Sequence, residues 1–186
     1  MNSVAIRRLL LVEDNLGDAR LLREMFNERG HGSPHTSLTH VKSLGEAERC
    51  LSEGEVDIAL LDLGLPDAQG LSVVRRAQAA APRVPLVVLT GLDDEMLATQ
   101  ALQEGAQDYL IKGQIEARGL FRALRYAIER KIMEESLFEE KERAQVTLRS
   151  IGDAVVCADN LGNVTFLNLV AENTTGWSLA EAVGRP

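Results

Sequence analysis

The chain has 186 residues, a formal net charge of -8, a sequence isoelectric point near 5.0 and 45% hydrophobic residues. That is enough for one full domain and part of another, and it excludes the basic footprint of a nucleic-acid binder. No apolar run approaches the roughly 18 residues of a membrane span, and MNSVAIRRLLLVEDN lacks the apolar stretch and cleavage site of a signal peptide.

Cys50 and Cys157 are far apart and make no metal-type spacing, so reduced, buried thiols in a cytoplasmic protein are expected. In chain order, short apolar runs alternate with amphipathic segments. Leu9–Val12, Ile58–Leu61, Leu86–Leu89 and Tyr109–Ile111 are nearly uninterrupted, as parallel strands covered on both faces should be, and a weaker strand falls in His35–Val41. Asp18–Arg29 carries Leu21, Leu22, Met25 and Phe26 on one helical face and stops at Gly30. Ser43 opens the next helix, with Glu46 completing a capping box. A third helix is predicted over Ala68–Ala81, between Pro66 and Pro82. Asp93 or Asp94 caps a fourth that ends near Gly105, and Gln114–Arg130 forms a fifth. Five such β–α units predict a doubly wound, flavodoxin-like α/β fold with a five-stranded parallel sheet in the order 2-1-3-4-5.

After residue 130 the texture changes. KIMEESLFEEKERAQVTLRS has no Gly or Pro and carries a helical stripe of Met133, Leu137, Ala144, Leu148 and Ile151, with Glu139 and Arg143 at i,i+4 spacing. A stiff linker helix over 131–150 is predicted. Two readings of its stripe stand: a seat for a partner helix, interrupted by Glu140 and Thr147, or a solvated face. From Asp153 onward AVVCADNLGNVTFLN reads as two strands about a DNLGN turn, followed by a helix in Ala171–Thr175. Residues 150–186 are too few for an independent core; Trp177 is expected in what core there is.

Functional groups of an open parallel sheet gather at the carboxyl ends of its strands. That rule sorts the three aspartates of VDIALLDLGLPD. Asp57 precedes its strand, a cap or loop residue. Asp67 follows Pro66 and can start the next helix. Asp62 ends the strand, on the active edge. Glu13 and Asp14, Thr90 and Lys112 end the first, fourth and fifth strands. Two carboxylates at 4 Å repel by about 4 kcal/mol at an effective dielectric of 20, so the cluster calls for a cation. Oxygen donors of this kind suit Mg2+ rather than zinc. With Lys112 and the Thr90 hydroxyl added, the edge can accept a phosphoryl group on Asp62. Taken singly, each of these residues is an ordinary strand-end cap or surface charge. His31, His35 and His40 make no metal spacing and are expected as surface or strand residues.

The stretches LLVEDN, LLDLGLPD, VVLTG and DYLIKG resemble, in order and spacing, the signatures of response-regulator (CheY-like) receiver domains of two-component signalling, over about residues 6 to 130. The resemblance implies a phosphoacceptor at Asp62, charged from a sensor histidine kinase or phosphotransfer protein. It also implies Mg2+ ligands at Glu13, Asp14, Asp62 and the Gly64 backbone carbonyl, with Asp14 the more direct of the acid pair. Thr90 and Lys112 match the family's hydroxyl and lysine, and Tyr109 its aromatic switch position; a partly buried aromatic is the plainer reading of Tyr109. Two departures stand out: Gly113 replaces a proline usual after the lysine, and Gly64 offers no side chain over an acyl phosphate. IGDAVVCADNLGNVTFLN and AENTTGWSLAEAVGRP resemble the opening of a PAS sensory domain, about a third of one.

The implied organisation is a receiver at 1–130, a helical linker at 131–150 and an incomplete α+β PAS segment at 151–186. Receivers so joined often precede cyclic-di-GMP synthases, phosphodiesterases or histidine kinases. Phosphorylation would draw Thr90 in and let Tyr109 turn inward, altering the fourth and fifth helices, where a homodimer can form, or along the linker. Such a chain is a signalling domain, not a conventional enzyme; only self-catalysed phosphotransfer and dephosphorylation are expected of it. An aspartyl phosphatase would want a carboxylate where Gly64 stands, and a dinucleotide enzyme a Gly-rich turn where VEDNLGDA stands. A phosphorylation-independent, protein-binding scaffold is the alternative.

Overall fold

The structure, a computed structural model, describes residues 6–28, 36–91 and 95–186. The chain folds as two compact units, Met1–Glu134 and Glu135–Pro186.

The first unit is built on five parallel strands: β1 (Arg8–Val12), β2 (Ser37–Val41), β3 (Ile58–Asp62), β6 (Leu86–Thr90) and β7 (Asp108–Ile111). They pair as β2-β1-β3-β6-β7, which is the order 2-1-3-4-5 when these strands alone are counted. The uninterrupted apolar runs are explained by burial on both faces. Leu10, Val12, Ala59, Leu61, Leu86 and Val88 pack against α2 (Leu44–Ser52), α3 (Leu71–Ala80) and α4 (Glu95–Gln103). Their alternates Leu9, Leu11, Ile58, Leu60, Val87 and Leu89 pack against α1 (Leu16–Glu28) and the first turns of α5 (Ala117–Ser150). Phe26 and Phe121 meet edge to face at 4.9 Å on that second side. Each fully buried leucine of these strands contributes about 1.5–3 kcal/mol of transfer free energy.

Boundaries moved where side chains compete for the backbone. α1 starts two residues before the expected Asp18, because Asn15 Oδ1 accepts from Gly17 N at 2.8 Å and serves the helix start. Ser43 caps α2 as expected, but Glu46 reaches the backbone N–H of Lys42, one residue ahead of the cap. The third helix does not begin at Ala68. Residues 64–69 instead form a small antiparallel hairpin, β4 (Gly64–Leu65) with β5 (Ala68–Gln69), and α3 opens only at Leu71. Asp67 therefore does not start α3; its carboxylate accepts from Leu44 N at 2.8 Å and Gly45 N at 2.9 Å and caps α2. Asp57 Oδ2 accepts from the N–H groups of Arg7 and Arg8 and pins the start of β1. The expected caps Asp93 and Asp94, the helix stop Gly30, and His31 and His35 lie outside the described residues. The expected fifth helix and linker helix are one continuous helix of 34 residues.

In the second unit β8 (Val156–Ala158) and β9 (Val164–Leu167) form an antiparallel hairpin. Its turn is tied by Asp159 Oδ1, which accepts from Leu161 N and Asn163 N, with Gly162 at φ 84°. α6 (Leu169–Thr175) and α7 (Leu179–Ala182) follow. Leu167, Ala171 and Ala182 make a small core. Buried Asn168 joins three segments. Its Oδ1 accepts from Val155 N and from Ala171 N, capping α6. Its Nδ2 donates to the carbonyls of Leu148, in the last turn of α5, and of Asp153, with a looser approach to that of Ile151. Trp177, expected in the core, is 46% exposed and lies under the Arg185 guanidinium, 4.8 Å from the ring centroid. Cys50 and Cys157 are free and half-buried. No described helix is long and apolar enough to cross a membrane.

Candidate functional site

Strand register assembles the site. Val12 pairs with Leu61 and Asp62 with Leu89, so Glu13, Asp62 and Thr90 leave the sheet at nearly the same level. Thr90 pairs with Ile111, and Lys112 follows, its N–H donating to the Thr90 carbonyl at 2.7 Å. Beyond it Gly113 adopts φ 83°, a left-handed turn that proline, held near −65°, does not reach. Proline could not follow this backbone path.

Glu13, Asp14 and Asp62 each present a carboxylate oxygen within 4.8 Å of the others. Glu13 is fully buried, Asp62 nearly so, and Asp14 exposed. Lys112 Nζ lies 2.7 Å from Glu13 Oε2, 2.9 Å from Asp62 Oδ2 and 3.3 Å from Asp18 Oδ2. Burial pushes the Glu13 carboxyl above its ordinary pKa; the Lys112 hydrogen bond only partly offsets this, and the Asp62 charge adds to it. Burial alone would pull Lys112 down, but hydrogen bonds to Glu13 and Asp62 more than compensate and hold it above the usual lysine value. Carboxylates 4.8 Å apart repel by about 3.5 kcal/mol at a dielectric of 20, and one ammonium among three of them leaves an anionic surplus. Hard oxygen donors with such a surplus fit a small divalent cation.

Thr90 Oγ1 is buried and has no hydrogen-bond partner. A buried hydroxyl in that condition is costly, and Thr90 is the last residue of β6, at the edge where Glu13 and Asp62 leave the sheet. Tyr109 pairs with Val88, and Val88 and Thr90 share a sheet face by the two-residue repeat, so Tyr109 lies on the side of Thr90. Its ring is half-buried against the cluster beneath α3 and α4, the plainer expectation for it. Gly64 is exposed in β4; a Cβ there would stand 3.7 Å from Asp62 Oδ2, an ordinary van der Waals contact, so glycine leaves that side of the carboxylate without a side chain.

Glu13, Asp14, Asp62, Gly64, Thr90 and Lys112 thus lie on or next to one sheet edge, whereas Tyr109 lies within β7, opposite Val88. Two others were missed. Asp18 sits in the first turn of α1, where an acid reads as a helix-dipole partner, and nothing local announces Lys112, far away in sequence. His40, one of the histidines expected on the surface or a strand, does lie in β2, but its Nε2–H donates to the Glu13 carbonyl at 2.7 Å.

Comparisons with known proteins bear on the family of the chain. PhoP, a transcriptional regulatory protein of Escherichia coli (strain K12), is 35% identical over 105 residues, covering 56% of this chain and 45% of PhoP. A second protein of that strain, named "Probable diguanylate cyclase DgcE", is 54% identical over 56 residues, 30% of this chain and 5% of its own. The chain spans less than half the length of the curated relatives it matches. Among solved structures, the receiver domain of the sensor histidine kinase PA1611 from Pseudomonas aeruginosa PAO1 matches with a TM-score of 0.57 at 30% identity. The match covers 67% of this chain and 99% of that one, which holds a magnesium ion coordinated in its active site cleft. The model of the response regulator receiver domain matches residues 9–125, more than half of the sequence, and the chain belongs to that family.

Proposed function

We propose that this chain is the receiving part of a two-component response regulator, with Asp62 as phosphoacceptor. The convergence of Glu13, Asp14, Asp62, Thr90 and Lys112 at one sheet edge carries the proposal. The donor is a phosphohistidine on a sensor histidine kinase or phosphotransfer protein. An Asp62 carboxylate oxygen forms the new P–O bond as the P–N bond breaks; its electron pair stays on the imidazole, which takes up a proton. Lys112 donates to one phosphoryl oxygen, and the unpartnered Thr90 hydroxyl donates to another. Glu13, Asp14, Asp62 and the Gly64 carbonyl would hold Mg2+. When bound, the ion supplies neutralisation of phosphoryl charge. Its presence in the cleft of the PA1611 receiver supports this assignment.

Movement of Thr90 toward the phosphoryl group opens space on the sheet face it shares with Tyr109, and the turn of that ring biases α4 and α5. Output then passes along α5, with 1–130 as receiver, 131–150 as linker and 151–186 as the start of a PAS domain in a cytoplasmic protein. The exposed Met96 and Tyr126 on α4 and α5 support a homodimer through that face. The match to DgcE supports a downstream output of cyclic-dinucleotide type.

Intact-protein mass after incubation with acetyl phosphate and Mg2+ tests the assignment. A labile gain of one phosphoryl group is expected, absent from Asp62→Asn and from a chelator-treated sample. No gain by a folded protein that also fails to bind beryllofluoride would instead favour the protein-binding scaffold.

A further inference from the structure

Lys112 is held by three carboxylates, and the assigned chemistry engages two of them. An ammonium has three protons to donate, and its three acidic neighbours are Glu13 at 2.7 Å, Asp62 at 2.9 Å and Asp18 at 3.3 Å. Glu13 and Asp62 belong to the carboxylate group whose oxygens lie within 4.8 Å of one another; Asp18 stands outside it. On the reading given under Proposed function, a cation shares the oxygens of Glu13 and Asp62, and phosphorylation turns Asp62 into an acyl phosphate. Both anchors of Lys112 are then weakened, and added positive charge repels its ammonium. Asp18 keeps its full charge throughout.

We propose that Asp18 is a positioning residue for phosphoryl transfer, a permanent counter-charge that keeps Lys112 Nζ at the Asp62 carboxylate when Glu13 and Asp62 are drawn into the reaction. Its place supports this. Asp18 lies in the first turn of α1, whose start is fixed by Asn15 through Gly17 N. Its carboxylate is 39% exposed, at the rim, while the Lys112 side chain is 22% exposed and the Glu13 side chain fully buried. The lysine therefore bridges a wet anchor and a dry one while it holds the acceptor. A plain helix-dipole role for Asp18 would need no lysine.

The test is a double-mutant cycle on the rate of phosphoryl uptake from acetyl phosphate at saturating Mg2+, using full-length wild type, Asp18→Asn, Lys112→Met and the double variant. Beryllofluoride affinity is read in parallel. An ion pair at this exposure corresponds to a few-fold effect. Asp18→Asn is expected to slow uptake about threefold to fivefold and to weaken beryllofluoride binding in step. Asp18→Glu should restore most of the loss. In the Lys112→Met background Asp18→Asn should change neither readout by more than about twofold. Equal slowing with and without Lys112 would overturn the proposal, as would unchanged or faster uptake by Asp18→Asn. A wild type that takes up no phosphoryl group would overturn the underlying assignment as well, so the two failures are distinguishable.

Discussion

Asp67 ties the loop after the site to a helix start on another β–α unit, and the cost of cutting that tie follows from its geometry. The carboxylate takes two first-turn N–H groups of α2, Leu44 N at 2.8 Å and Gly45 N at 2.9 Å, while Ser43 Oγ takes Glu46 N at 3.3 Å and would remain. Loss of an N-terminal cap costs about 1 kcal/mol, and loss of a charge at the helix dipole adds a few tenths. Asp67→Ala should therefore destabilise by about 1.5 kcal/mol at neutral pH. With a urea slope of roughly 1–3 kcal/mol/M, the unfolding midpoint should fall by about 0.5–1.5 M. Asp67→Asn keeps one accepting oxygen and should lose about half as much.

The pH dependence has a definite sign. The hydrogen bonds from Leu44 and Gly45 hold the Asp67 carboxyl below its ordinary pKa. A depressed carboxylate stabilises the fold fully above its unfolded pKa of about 3.9, and that stabilisation is lost as pH falls through the folded value. The gap between wild type and Asp67→Ala should be flat from about pH 7 to 5 and close on further acidification. Urea unfolding followed by circular dichroism at several pH values measures it. A gap under about 0.3 kcal/mol at neutral pH, or one that widens in acid, would refute the reasoning.

The two glycines of the site should respond oppositely. Gly113→Pro cannot keep φ 83° and should cost upwards of about 1 kcal/mol in unfolding free energy while displacing Lys112, which slowed phosphoryl uptake would report. Gly64→Ala, whose Cβ would rest 3.7 Å from Asp62 Oδ2 without strain, should leave the urea midpoint within the equivalent of about 0.5 kcal/mol.

The sheet was legible because burial on both faces leaves no room for polar residues: the runs at Leu9, Ile58 and Leu86 are apolar without alternation. The site was legible for a related reason. Parallel strands in register deliver their last residues to one edge, so Glu13, Asp62, Thr90 and Lys112 could be grouped before any contact was known. Pairings set by the fold rather than by neighbours in sequence escaped. The partners of Asp67 lie 22 and 23 residues away, and its position after Pro66 looked like a helix start. Asp18, in the first turn of α1, meets Lys112, the residue after β7, only once the chain has folded. The β4–β5 hairpin, two residues per strand, is too short for any periodicity to announce it. Trp177 was misplaced because an aromatic was equated with a core, whereas Arg185 covers its ring.

The amide of Asn168 sets a spelling rule for its position. One end of it must accept, from Val155 N and Ala171 N, and the other must donate, to the carbonyls of Leu148 and Asp153. Aspartate could begin α6 but would turn a second anion-like edge toward those carbonyls. Lysine could meet the carbonyls but would leave the helix start bare. Glutamine carries the same group one methylene too far out. Where one helix ends and another begins on a single side chain, the twenty-letter alphabet shrinks to a single letter.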